Sequence, residues 1–138
     1  MITDLGHTAF RVHDLLASLE FYGKLGIYES FRLNHTDGTL MLVYLHVGGD
    51  RFIELFPGGE SPKALSGSFM HLCLVSDSIR EDVEKLRSQG IKITSEVSLG
   101  LDYNLQAWLA DPDGNPIELM QLSEDSPQRK ITREAAKQ

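Results

Sequence analysis

Cysteine is nearly absent from this chain. Cys73 is the single one in 138 residues, so no internal disulfide staples the fold and a small cross-linked secreted domain is excluded. A free cysteine of this kind is expected as a small apolar core residue. Long hydrophobic runs are missing as well. No stretch approaches the roughly 20 apolar residues that span a bilayer, and Met1-Ile2-Thr3-Asp4 has neither the basic flank nor the apolar segment of a signal peptide. The expectation is a cytoplasmic protein with no membrane contact. Positive charge is scarce too: 13 Lys and Arg against 20 Asp and Glu leave a net charge of -7. That balance argues against a nucleic-acid partner, because phosphate binders concentrate basic residues.

What remains is an ordinary globular composition, 41% hydrophobic and 24% charged, in a chain long enough to bury about two thirds of its unfolded surface. Within it, one offset of 64 residues carries His7 onto His71 and Glu54 onto Glu118. The neighbours follow: Ile53-Glu54-Leu55 falls on Ile117-Glu118-Leu119, Gly26-Ile27 on Gly90-Ile91, and Leu15, Leu19 and Tyr22 on Ile79, Val83 and Leu86. A period this long exceeds a solenoid repeat and fits two copies of one supersecondary module.

Each copy reads βαβββ, an α+β arrangement. In module 1 (3–56), residues 5–13 alternate as a strand, with His7, Ala9, Arg11 and His13 on one side and Thr8, Phe10 and Val12 on the other. Asp14 caps a helix bearing Leu15, Leu19 and Tyr22, and Gly26 ends it. Strands follow near 27–34, 39–47 and 51–56, separated by turns at Asp37-Gly38 and Gly48-Gly49-Asp50. A linker, 57–67, is rich in Gly, Pro and Ser. Module 2 (68–122) repeats the order: a strand from Phe69 to Val75 carrying His71, a capping box Ser78-Ile79-Arg80-Glu81, a helix closed by Gly90, then strands near 92–97, 105–111 and 116–122. Asp111-Pro112-Asp113-Gly114-Asn115 is a turn by its chemistry. The polar segment 123–138 reads as a short exposed helix or a mobile tail.

Period-two alternation sets Glu54 opposite Ile53 and Leu55, and Glu118 opposite Ile117 and Leu119, so each sheet carries one His and one Glu on the face its helix does not cover. Two such sheets related by a pseudo-twofold would gather two imidazoles and two carboxylates around one point. A lone strand His or Glu is ordinarily a hydrogen-bonded or solvent-facing residue; its persistence in both copies favours metal binding. A nitrogen and oxygen donor set without thiolate suits a divalent transition ion, Ni, Co, Mn, Fe or Zn, with open positions for water, and not a closed zinc knot. His13, His35 and His46 have no counterpart at the offset and read as surface or structural residues. Tyr44, Tyr103 and Trp108 are read as core packing, with the lining of a pocket as the alternative.

With those residues in view the chain resembles the vicinal oxygen chelate superfamily and, within it, the glyoxalase I family. The resemblance covers residues 5–122. It is carried by Gly6-His7-Thr8-Ala9-Phe10-Arg11-Val12, Ser18-Leu19-Glu20-Phe21-Tyr22, Phe52-Ile53-Glu54-Leu55, Met70-His71-Leu72 and Asp111-Pro112-Asp113-Gly114-Asn115-Pro116-Ile117-Glu118-Leu119. It implies a glyoxalase/bleomycin-resistance/dioxygenase-type fold with a metal site in its cavity, His7, Glu54, His71 and Glu118 as ligands of one divalent ion per site, and Glu118 as catalytic base with Glu54 as its counterpart. A carboxylate at position 54 favours a lyase or isomerase that moves a proton on a 2-oxo or 2-hydroxy, hemithioacetal-like substrate by way of an enediolate. Arg11 matches an arginine that contacts an anionic substrate group, and a homodimer is implied. The alternatives are an epimerase or ring-cleaving dioxygenase of the same superfamily, or a non-catalytic drug-binding resistance protein.

Overall fold

The computed structural model describes residues 5–60 and 69–137; positions 61–67 of the expected linker lie outside the described residues. The chain divides into two compact units, Met1–Ala64 with Asp111–Gly114, and Leu65–Ala110 with Asn115–Gln138. Among the described residues no helix is long and apolar enough to cross a membrane.

In the first unit the elements run β1 (His7–Arg11), α1 (Leu15–Lys24), β2 (Glu29–Asn34), β3 (Leu40–Gly48) and β4 (Arg51–Phe56). They form a four-stranded sheet in the order β1-β4-β3-β2, with β1 parallel to β4 and the remaining pairs antiparallel. The single parallel pair needs a crossover, which α1 begins. Asp14 Oδ1 accepts from the Ala17 amide at 3.0 Å and caps that helix. Gly26, at φ 80°, ends it in the left-handed region that a side chain disfavours. The face that α1 buries is Ser18, Phe21 and Tyr22, while Leu15 and Leu19 are half-buried. Val12, Val43, Leu45, Ile53 and Leu55 supply the fully buried apolar side of the sheet.

The second unit repeats the topology with β5 (Leu72–Val75), α2 (Ile79–Ser88), β6 (Ile93–Leu99), β7 (Leu105–Ala110) and β8 (Pro116–Gln121), in the order β5-β8-β7-β6. A third helix, α3 (Pro127–Ala135), follows. Its N-cap Ser126 is buried and accepts from the Arg129 amide, while no residue of the helix itself is buried. Of the two readings of the polar C-terminal segment, the exposed helix is the one adopted.

Two local expectations differ from what forms. Strand β5 starts at Leu72, so His71 precedes it. The register Leu72↔Ile117 would next pair His71 with Pro116, which has no N–H to donate to the ladder. The capping box at Ser78 does not close either: the Ser78 hydroxyl donates to Asp77, and the Ile79 amide is taken by Gln121 Oε1 at 2.8 Å.

Candidate functional site

Alternation along β4 turns Glu54 away from Ile53 and Leu55, yet all three are buried, because β4 is an inner strand of its sheet with neighbours on both sides. Glu54 keeps 5% of its surface and Glu118, in the same setting on β8, keeps 6%. A carboxylate at that depth needs a compensating partner. Each has a histidine. His7 Nε2 lies 2.6 Å from Glu54 Oε2, and His71 Nε2 lies 3.2 Å from Glu118 Oε2.

The first pair is not an ordinary hydrogen bond. Despite the 2.6 Å approach, Glu54 Oε2 is a buried oxygen with no hydrogen-bond partner, so the ring nitrogen faces it without an N–H directed between them. A nitrogen lone pair and a carboxylate oxygen aimed at one place are the donors a divalent cation takes, and a cation would satisfy both. The residues present therefore fit a metal ion. Among the described residues no three or more His, Cys, Asp or Glu side chains gather to hold one; each unit contributes a pair.

Strand register names the neighbours of each pair. In the first unit Ala9 and Tyr44 flank Glu54, and Phe52 lies between His7 and His46. Tyr44 stacks on Phe31 with ring centres 4.3 Å apart, and both meet Phe52 edge-on. This aromatic wall on β2, β3 and β4 occupies the Glu54 face, with Phe31 exposed. Arg11 shares that face, as alternation requires. Its guanidinium lies 5.6 Å from the Phe56 ring centre and Nη1 donates to the Pro57 carbonyl at 3.2 Å.

In the second unit Cys73 and Trp108 flank Glu118. Cys73 is exposed, which corrects the expectation of a core thiol. Its position is set by β5, an edge strand whose alternate residues face away from the apolar side. Partial burial of the thiol pushes it up to about 12, and the Glu118 carboxylate, to which it hydrogen-bonds, acts in the same direction. It stays a neutral donor rather than a nucleophile. Trp108 meets the His71 ring edge-on at 4.9 Å. Tyr44 and Trp108 are both half-buried beside a glutamate and Tyr103 is exposed, so none of the three is in the core as expected. A signal existed for two of them. The 64-residue offset that pairs the ligands also carries Tyr44 onto Trp108 and Ala9 onto Cys73.

One further polar cluster belongs to the first unit. The Tyr22 hydroxyl donates to Asp111 Oδ2 at 3.0 Å, and Asp113 Oδ1 accepts from the His13 amide at 2.8 Å. Burial, with the Asp111 charge second, raises Tyr22 far above the phenol range and keeps it a donor.

Comparison with known proteins agrees with this topology. The family model described as glyoxalase/bleomycin resistance protein/dioxygenase superfamily matches residues 4–119. A protein of Synechocystis sp. named as a probable lactoylglutathione lyase is 32% identical over 85% of this chain and 94% of its own length. A lactoylglutathione lyase of Escherichia coli O157:H7 is 31% identical over 83% and 90%. An uncharacterized Bacillus subtilis protein, YwbC, is 30% identical over 88% and 99%. Among solved structures, a lactoylglutathione lyase from Agrobacterium tumefaciens superposes with a TM-score of 0.66 at 21% identity, covering 87% of this chain and 94% of that one. TnmS3, an antibiotic binding protein from Streptomyces, superposes with a TM-score of 0.70 at 24% identity, covering 88% and 98%. Two βαβββ units, each with a histidine against a buried glutamate, and a family match running from the first strand into the last place this chain in the glyoxalase/bleomycin resistance protein/dioxygenase superfamily.

Proposed function

We propose that the protein is a metal-dependent lyase or isomerase of glyoxalase I type. In this reading His7, Glu54, His71 and Glu118 hold one divalent ion, nickel, cobalt, manganese, iron or zinc, and the two pairs meet at it either within one chain or across a homodimer. The observation that carries the reading is the buried Glu54 Oε2, which takes no hydrogen bond although His7 Nε2 lies 2.6 Å away, together with the second His–Glu approach at His71 and Glu118. When bound, the ion supplies Lewis acidity that polarises a substrate carbonyl and stabilises negative charge on two adjacent oxygens.

The rest is the work of side chains. The substrate class is a 2-oxo or 2-hydroxy compound such as a hemithioacetal. Glu118 removes the proton from the hydroxyl-bearing carbon, the electron pair moves toward the carbonyl, the hydroxyl proton passes to the former carbonyl oxygen, and the carbon-bound proton is returned to the neighbouring carbon. The product is the thioester of a 2-hydroxy acid, with no oxidant and no net change in atoms. Glu118 suits this role because it is buried on an inner strand and keeps a looser approach to His71 than Glu54 does to His7. Glu54 stands as its counterpart on the substrate's other side. Arg11, on the Glu54 face, receives an anionic group of the substrate. The setting proposed is the cytoplasm, where a single free thiol stays reduced.

Metal analysis of the purified protein, with an assay of methylglyoxal plus a thiol in deuterated water, tests the reading. One ion per site and deuterium at the product α-carbon without oxygen uptake are expected. Oxygen consumption with a catechol would move the assignment to a ring-cleaving dioxygenase. A second reading has one observation in its favour: the Phe31, Tyr44 and Phe52 wall suits a flat drug held without turnover. Metal-free protein that binds such a compound tightly and turns nothing over would establish that alternative.

A further inference from the structure

The two modules carry hairpins with five-residue loops, His35–Thr39 between β2 and β3 and Gly100–Asn104 between β6 and β7, but they are built differently. The first is polar and closes on itself: Asp37 Oδ1 accepts from the Thr39 amide at 2.9 Å and its hydroxyl at 2.6 Å. The second exposes Leu99, Leu101 and Tyr103, with Leu101 entirely in solvent at 104%. Tyr103, at φ 66°, is the only non-glycine residue in the left-handed region among the described residues.

This second hairpin is held by a helix that the first module lacks. Asp102 Oδ2 accepts from Asn104 Nδ2 and from Gln128 Nε2 of α3, each at 2.8 Å. The fully buried Asn104 also donates to Gln128 Oε1 at 3.2 Å and accepts the Ser123 amide at 2.8 Å. A Cβ at Gly100 would meet Asp102 Oδ1 at 2.8 Å, so a larger residue there would displace the carboxylate that Gln128 and Asn104 hold. The twin shows that closing a hairpin here needs neither an apolar tip nor a brace. A fixed apolar tip left in water points to something that covers it.

Its position says where. Asn104 Nδ2 lies 3.7 Å from Met120 Sδ, and Met120 is two residues beyond Glu118 on β8, on the same face. Gln106, which pairs with Met120, is 3.6 Å from the Cβ position of Gly100. The hairpin thus stands one strand row from Glu118. No strand of that sheet carries Lys or Arg, while Glu96 and Glu118 lie on its strands and Asp102 in the hairpin itself.

We propose that the Leu99–Asn104 hairpin, locked by Gln128, is the specificity element for the part of the substrate remote from the reacting oxygens, and that this part is apolar where it meets the hairpin, any anionic group being left to Arg11. The inference rests on the reading of Glu118 as the base. The test compares hemithioacetals of methylglyoxal made with butanethiol and with 2-mercaptoethanol, neither of which carries an anionic group for Arg11. The wild-type protein is expected to favour the butanethiol adduct by about tenfold in kcat/KM, the scale that a few methylenes command in an apolar site. Leu101→Asp should remove that preference through KM with kcat retained. Gln128→Ala should raise KM in the same direction and speed amide exchange over residues 99–104. Turnover of both adducts with no preference for butanethiol, indifferent to Leu101→Asp, overturns the hairpin's role while leaving the proton-transfer reading intact. Unchanged kinetics in Leu101→Asp with an altered oligomeric state overturns it too and makes the tip a contact between copies. Turnover of neither adduct removes the proton-transfer reading and the proposal with it.

Discussion

The glutamates of the two sheets occupy equivalent positions but unequal surroundings. Glu54 lies between Ala9 and Tyr44, and one of its buried oxygens has only the His7 ring nitrogen opposite. Glu118 lies between Cys73 and Trp108, accepts a hydrogen bond from the thiol and keeps a looser 3.2 Å approach to His71. Duplication preserved the donors and the aromatic neighbour and changed what else each carboxylate touches. An orphaned oxygen is stabilised by a cation and has little to fall back on without one. A carboxylate with a second donor can exchange partners at lower cost. The contrast favours Glu54 as the anchoring ligand and Glu118 as the one that moves.

Substitution at the two glutamates is the strongest test of that division. Glu118→Gln is expected to lower kcat by about 10³-fold, within the range of general-base losses, with metal still bound. Glu54→Gln is expected to cost more metal than Glu118→Gln, measured as ions per chain. Equal losses of turnover and metal in the two variants would break the distinction.

A smaller effect compares the buried polar contacts of the units. Tyr22→Phe leaves Asp111, 5% exposed, without the phenol donor, and should destabilise the fold by about 1–3 kcal/mol in urea unfolding. Asp102 of the second unit is less buried than Asp111, and removing Gln128 from it should cost less.

The smallest effect is in acid. Hydrogen bonds from Gln128 and then Asn104 hold the Asp102 carboxyl below its usual value. Because the folded value is the lower one, the stabilisation is present above the ordinary aspartate range, about pH 4, and fades as pH falls through the folded value. Amide exchange at residues 99–104 should therefore rise in that acid window, while exchange at 35–40 should respond to Asp37. The Asp37 carboxyl is lowered by Thr39, with the Asp37 backbone amide adding to it, so its loss should stay local. Indifference of 99–104 to acid would mean that Asp102 does not brace the hairpin.

Much of this was legible in the residues. The 64-residue offset and the alternation around Ile53-Glu54-Leu55 and Ile117-Glu118-Leu119 gave the module, the strand faces and both His–Glu pairs, because a period of two leaves little freedom on an inner strand. Less legible was whatever depended on a neighbour distant in sequence. Pro116 cut β5 short before His71, Gln121 took the amide that Ser78 was expected to cap, and the edge position of β5 left Cys73 exposed. Pattern reads one strand at a time, and these outcomes belong to pairs of strands. The brace from Gln128 to Asp102 was hidden for the same reason, in a segment whose polarity suggested only solvent.

The turn Asp111–Gly114 counts with the first unit even though it is encoded near the end of the second. Until it leaves the ribosome, Tyr22 and the His13 amide have no carboxylates to bind. The amino-terminal half is then an unfinished product for most of its synthesis, and nascent-chain folding should complete late and nearly all at once rather than one half after the other.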